Sequence, residues 1–309
     1  VLIATGAGYF YFDIESSSFL VIFYTLLILT GTLVGPAWSS WMKDLTHGAN
    51  NSGEFFGKRG KYAGGIALIC MLIAGFVLDF FKTKGVVIIG FSILFLVACI
   101  FRRISASLFK KHYYPKLKLE KGYYFSFIQF LKKSSKNNFG RFVIYVALMK
   151  FATAIGGPFF AVYMLKDLNF SYTTFMLTSV SASIATLLFL PLIGKFSDKY
   201  GNRELLKFGS LLVPIVPFLW LFSKSPLYLI IVPQLISGIG WGAFDFASSN
   251  FIYDTVSVQR RGICVAYFNL FSGIGIFFGA TLGGLVATYL TINFMNNLLF
   301  IFLLSGIAR

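Results

Sequence analysis

The feature that most constrains this chain is a succession of apolar runs, each long enough to cross a hydrocarbon layer about 30 Å thick as a helix of about 20 residues. They fall at about 18–43, 62–81, 86–104, 141–164, 172–194, 205–222, 227–251, 262–288 and 292–309. A shorter run at 1–12 precedes them, so about ten segments are predicted, nine of them complete. None alternates with a period of two, and all exceed the roughly ten residues of a barrel strand, which predicts helices. Gly156-Gly157-Pro158, Pro214 and Pro217 lie inside these runs, as membrane helices allow. The fold class predicted is all-α, integral to a membrane.

Composition agrees. Only 12% of the 309 residues are charged and 57% are hydrophobic, with a mean hydropathy of +0.78, against about 25% charged in a soluble domain. Too few polar groups remain to clothe a water-facing surface. The net charge is +16, yet the cations lie in short stretches between apolar runs and build no single basic face, which excludes nucleic acid as a partner. Alternate loops are unequal: counting the cations that flank them (Arg102, Arg103, Arg141 and Lys207), 21 Lys and Arg lie on one set and four on the other. The positive-inside rule places the richer set, loops 43–61, 105–140, 195–204 and 254–261, in the cytoplasm of a cell-membrane protein. The longest of them, 105–140, contains KKHYYPKLKLEKGYY and LKKSSKNN and reads as a linker lying against anionic lipid headgroups.

Chemistry that needs clustered ligands or a cofactor finds no support. Cys70, Cys99 and Cys264 fall within apolar segments and His47 and His112 in polar loops, so neither a disulfide nor a metal site is predicted. The 11 acidic residues are scattered, and there is no nucleotide-binding loop and no nucleophile beside a base. No cofactor is expected, and the chain does not read as an enzyme.

Val1 is not an initiator Met, and the run at 1–12 is too short to span. The chain therefore reads as a piece of a longer one, opening inside a helix. A repeat supports this. SSWMKDLTHGANNSGEFFGKRG carries Asp44 and then Ser52-Gly53 opening a helix; about 210 residues later SSNFIYDTVSVQRRGICVAYFN carries Asp254 and then Arg261-Gly262. Both copies lie on the cytoplasmic side, so the halves are parallel repeats about an axis along the membrane normal. Three regions are expected: 1–104 as the remnant of a first half, 105–140 as the basic middle loop, and 141–309 as a six-helix second half. Two further helices before Val1 would complete twelve.

Twelve helices in two sixes with a basic middle loop resemble the major facilitator superfamily. The most specific residues are Gly194-Lys195-Phe196-Ser197-Asp198-Lys199-Tyr200-Gly201-Asn202-Arg203. They match that superfamily's cytoplasmic signature G-x-x-x-D-[RK]-x-G-x-[RK] at every defined position, where the second-half copy belongs. FFAVYMLKDLNFSY and the stretch from Gly238 to Gly284 look like a prokaryotic subgroup of it. Physically, Gly194 and Gly201 allow close packing and a tight reversal, while Lys199 and Arg203 anchor the loop on the cytoplasmic side. The resemblance implies that Asp198 faces the positive N-terminal end of the fifth helix, near Gly57–Lys61, as a latch that opens when the halves rock apart. Asp44 and Asp254, at equivalent helix ends, are expected to pair with Arg59, Arg203 or Arg261 in the same gating role.

Two charges lie deeper, where each costs at least about 2.5–3.5 kcal/mol. Lys150 and Asp245 are roughly 13 Å and 10 Å from the cytoplasmic ends of their runs at 1.5 Å per residue. The resemblance makes these the seventh and tenth helices, which line the central cavity in that superfamily. A salt bridge, or a solute group held between the two, is expected. Trp38, Trp41, Tyr163, Gln234, Trp241 and Asn250 supply polar-tipped or aromatic groups on segments that could face the same cavity. The expected function is transport of a small solute by alternating access, driven by protons or another solute and directed outward as an exporter, with a monomer as the working unit. A non-transporting sensor or a channel on the same fold is the alternative.

Overall fold

With no water to bond to inside a bilayer, an apolar run must close its backbone hydrogen bonds within itself. In this computed structural model every described element is a helix. The structure describes residues 25–26, 52–111, 126–134, 136–256, 260–290 and 296–309, divided between two units, Val1–Lys118 and Leu119–Arg309.

The first unit contributes a hairpin of α1 (Ser52–Thr83) and α2 (Val87–Phe109). It turns at Gly85, whose φ of 73° is open to glycine. The Val86 N–H donates to the Phe81 carbonyl and the Gly85 N–H to that of Lys82, both at 3.0 Å, which satisfies two carbonyls left over at the end of α1. α1 starts at Ser52, where the repeat predicts it. Gly57–Lys61 therefore lie in its second and third turns and not at its N-terminal end.

The second unit holds α3 (Phe127–Ser134), α4 (Asn138–Gly156), α5 (Phe159–Val162) running into a π-turn (Tyr163–Asp167), α6 (Tyr172–Tyr200), α7 (Asn202–Leu219), α8 (Pro226–Thr255), α9 (Arg261–Tyr289) and α10 (Asn297–Ala308). Caps fix the starts. Asn137 accepts from the Gly140 N–H, Ser171 from that of Thr174 at 3.1 Å, and Asn296 from that of Leu298 at 2.8 Å. Among the described residues six helices are long and apolar enough to cross a membrane. α7 adds a helix whose first two turns carry Arg203, Glu204 and Lys207, and α10 a shorter apolar one.

Two features were not expected. The run 141–164 is broken: α4 stops at Gly156, and the chain resumes beyond Pro158 as α5 and the π-turn, because proline removes a donor from the helical ladder. Parts of the basic stretch are also helical. α2 runs on to Phe109, and α3 is opened by Ser126 and Gln129, each side chain accepting from the other's N–H at 3.3 Å and 3.0 Å. Phe130 of α3 stacks on Tyr267 of α9 with centroids 5.0 Å apart.

Lipid tails are as apolar as leucine, so membrane helices gain by close packing at small residues. Gly275, Gly279 and Gly283 of α9, spaced by four, lie against the backbone carbonyls of Ala147, Phe151 and Ile155 of α4, where any Cβ would collide. Gly238 of α8 lies in the same way against Ala182 of α6, and its carbonyl accepts from the Thr186 hydroxyl at 2.8 Å. Gly209 of α7 lies against the Phe244 amide of α8. Two aromatic-rich cores result. One surrounds Phe142, Val146, Met149 and Phe244, and the other surrounds Tyr163, Trp220, Leu229 and Phe302.

Candidate functional site

Between these cores, α4 turns a second face inward. Lys150, Thr153 and Gly157 follow one another by three and four residues, one face of a helix, while Ala147, Phe151 and Ile155 face α9. The Lys150 Nζ lies 3.4 Å from a carboxylate oxygen of Asp245 on α8. The structure thus joins the two mid-run charges that the sequence places at similar depth. The ammonium also sits 4.5 Å from the ring centroid of Trp241 and 5.8 Å from that of Phe244, close enough for cation–π attraction. The two side chains differ in access: that of Lys150 is 25% exposed and that of Asp245 62%. Asp245 keeps one side of its carboxylate open to a further partner.

Trp241 carries this pair to a cavity of about 360 Å³ within the second unit. Thr153, Gly157 and Met164 form one wall, Phe175 and Ser179 of α6 another, and Gln234 and Ser237 of α8 a third. Trp220 closes it beside Arg309, which follows α10. Gly157, at the break after Gly156, is one of the residues that line this space.

Arg309 is the residue that sequence reasoning passed over. Its Nη1 donates to the Val213 carbonyl at 3.1 Å, and its Nη2 to the Ser305 hydroxyl, also at 3.1 Å. Ser305 in turn donates to the Ala152 carbonyl at 2.7 Å. The Val213 carbonyl needs an outside donor because the residue four positions on is Pro217, which has no N–H. That spacing was the available signal: a proline in an apolar run orphans a carbonyl, and a long cationic side chain nearby can fill it.

Other expected site residues are placed differently. Tyr163 is packed in the π-turn at 2% exposure, edge-on to Phe302 at 5.6 Å; it does not line the cavity, although its neighbour Met164 does. The Asn250 amide donates to Asn202 at 3.5 Å and so belongs to the signature loop. Trp38 and Trp41 lie outside the described residues.

The signature itself proves to be almost wholly helical. Gly194 to Tyr200 are the last turns of α6, Asn202 and Arg203 begin α7, and Gly201 alone makes the reversal with φ at 86°. The Gly201 N–H returns to the Ser197 carbonyl at 2.8 Å, and the Ser197 hydroxyl donates to the Asn202 side chain at 2.6 Å. A Cβ at Gly194 would meet nothing among the described residues. Asp198 and Arg203 are exposed, as is Lys199, whose ammonium lies 5.0 Å from the Tyr200 ring. Of the latch candidates Arg59 is exposed, and Asp44 and the side chains of Asp254 and Arg261 lie outside the described residues. Among the described residues no group of acids, His or Cys could hold a metal ion.

A bundle of apolar helices sealed by glycines, with a signature reversal and charges beside an internal cavity, defines a polytopic membrane protein. The family model described as Major Facilitator Superfamily matches residues 142–308, more than half of the chain, and the chain belongs to that superfamily. It is 33% identical over 120 residues to the vacuolar basic amino acid transporter 2 of Saccharomyces cerevisiae, covering 39% of this chain and 24% of that one. To the riboflavin transporter RibZ of Clostridioides difficile it is 36% identical over 78 residues, 25% and 17% of the two chains. To the class B tetracycline resistance protein of Escherichia coli it is 30% identical over 102 residues, 33% and 25% of the two. The aligned part thus spans a quarter or less of these relatives.

Proposed function

We propose that the protein carries a small solute across a membrane by alternating access, as a secondary transporter driven by a gradient of protons or of another solute. The observation that carries this reading is the Lys150–Asp245 pair beside the cavity. Two charges at mid-depth in an apolar bundle are costly, and a purely structural pair would be expected to close more tightly than 3.4 Å, since charge-assisted bonds run about 2.7–2.9 Å. A loose pair with one open carboxylate can exchange partners. A proton or a cationic group on Asp245 would release Lys150, and the energy of that exchange can bias the bundle between two arrangements.

The relatives named for amino acids, riboflavin and tetracycline resistance support a small organic solute. Asp198, Lys199 and Arg203, held on a one-residue reversal at Gly201, suit a cytoplasmic gate, with Asp44, Arg59, Asp254 and Arg261 as its further members. The basic stretch 105–140, with α3 in it, suits the headgroup region of anionic lipid. We assign the protein to the cytoplasmic membrane, as a monomer.

The test is flux into sealed proteoliposomes holding the full-length protein. The pH is stepped, and pooled amino acids, sugars, organic anions and lipophilic cations are applied in turn. One pool should give flux that both Lys150→Ala and Asp245→Asn abolish. Flux indifferent to both variants removes the pair from the mechanism. A solute that binds but never crosses favours a sensor.

A further inference from the structure

We propose that the cavity beside Arg309 binds an organic anion, a carboxylate or similar group on a flat apolar body, with the guanidinium as its counter-ion. The assignment deepens the transport reading and rests on it for the entry of a solute. Arg309 lies about 18 Å along from the start of α10 at 1.5 Å per residue, where a charge in hydrocarbon marks a site by default. Its two recorded partners, the Val213 carbonyl and the Ser305 hydroxyl, are neutral. They satisfy two of five donors and, among the described residues, leave the charge uncompensated. Its Nε is shut away without a partner among the described residues. Lys150 is already answered by Asp245, and Arg309 has no equivalent: among the described residues no acid lines the cavity.

The remaining lining states what the rest of the ligand resembles. Trp220, Trp241, Phe160 and Phe175 offer flat apolar faces, and Gln234 and Ser237 offer neutral hydrogen-bonding groups. A volume of about 360 Å³ is at the small end of ligand pockets, the size of a two-ring body. A planar guanidinium fork matches a carboxylate in a way an ammonium does not.

Three probes with one body separate charge from shape: 2-naphthoate, 2-naphthamide and 2-naphthylmethylammonium. Each is titrated calorimetrically into the full-length protein in neutral phosphatidylcholine nanodiscs. Naphthoate should bind roughly 10- to 100-fold more tightly than the other two, the factor expected for a hydrogen bond to a charged group. Arg309→Gln, which keeps a neutral donor for Val213, should erase the preference, and Arg309→Lys should restore part of it. Equal affinities in the unaltered protein overturn the assignment even if the Gln variant fails to fold, and so does a preference that survives in that variant. Adding phosphatidylglycerol should leave the affinity unchanged; strong competition would make a lipid headgroup the occupant and overturn a soluble solute. Anion preference without flux in proteoliposomes supports this site and removes the transport reading. Flux without anion preference does the reverse.

Discussion

One helix, α4, shows both ways this bundle uses a surface. Its Ala147, Phe151 and Ile155 carbonyls lie against the glycines of α9. Its Lys150 and Thr153 look the other way, to an ion pair and a cavity. On the first face, packing is closed down to backbone contact. On the second, space is left open, with the Lys150–Asp245 pair beside it and Arg309 in its lining. The difference teaches where each kind of change should act: stability is carried by the α9 seam, and chemistry by the face toward α6, α7, α8 and α10.

The largest effect should come from spoiling the seam. Gly279→Leu drives a side chain into the Phe151 carbonyl and should cost about 3 kcal/mol, read as a sharp fall of Tm in detergent; a Tm within a degree or two of the parent would show that the seam is not rigid. Next, Arg309→Ala leaves the Val213 carbonyl unbonded and should cost about 2 kcal/mol, so the cavity face is not wholly free of structural duty. Solvent denaturation checks this. Asp245→Asn should sharpen the contrast: with both side chains partly exposed, stability should change by less than about 1 kcal/mol, while flux falls at least about tenfold. The smallest effect belongs to the second glycine contact. Thr186→Val removes one hydrogen bond to the Gly238 carbonyl, which in membrane helices is worth about 0.6 kcal/mol.

Most helices were legible because spanning length and hydropathy state them directly: the runs 62–81, 172–194 and 262–288 sit inside described helices, and 86–104 does so from Val87 onward. The pairing of Lys150 with Asp245 was legible too, since depth along a helix is simple arithmetic. What periodicity could not state was rotation about the helix axis. Tyr163 lies on the same run as Thr153, yet the break after Gly156 and the π-turn send it into a core. Asn250 lies on the same helix as Trp241 but two and a half turns further on, where its partner is Asn202. Arg309 was hidden for a different reason: its significance comes from Pro217, nearly a hundred residues away, and only the fold brings the two together. The signature was readable as a motif. Its being one glycine between two helices was not, because helix ends there depend on the φ of Gly201.

The central claim is that the polar face of α4 borders a solute cavity open to each side of the membrane in turn. It is tested most directly by Thr153→Cys in full-length protein with Cys70, Cys99 and Cys264 replaced by alanine, reconstituted and labelled with a membrane-impermeant maleimide from either side. The expected result is labelling from both sides, in a ratio that shifts when pH or a transported solute is changed and that Asp245→Asn freezes. Labelling from one side only, at a rate indifferent to pH, solute and the Asp245 variant, would contradict the account.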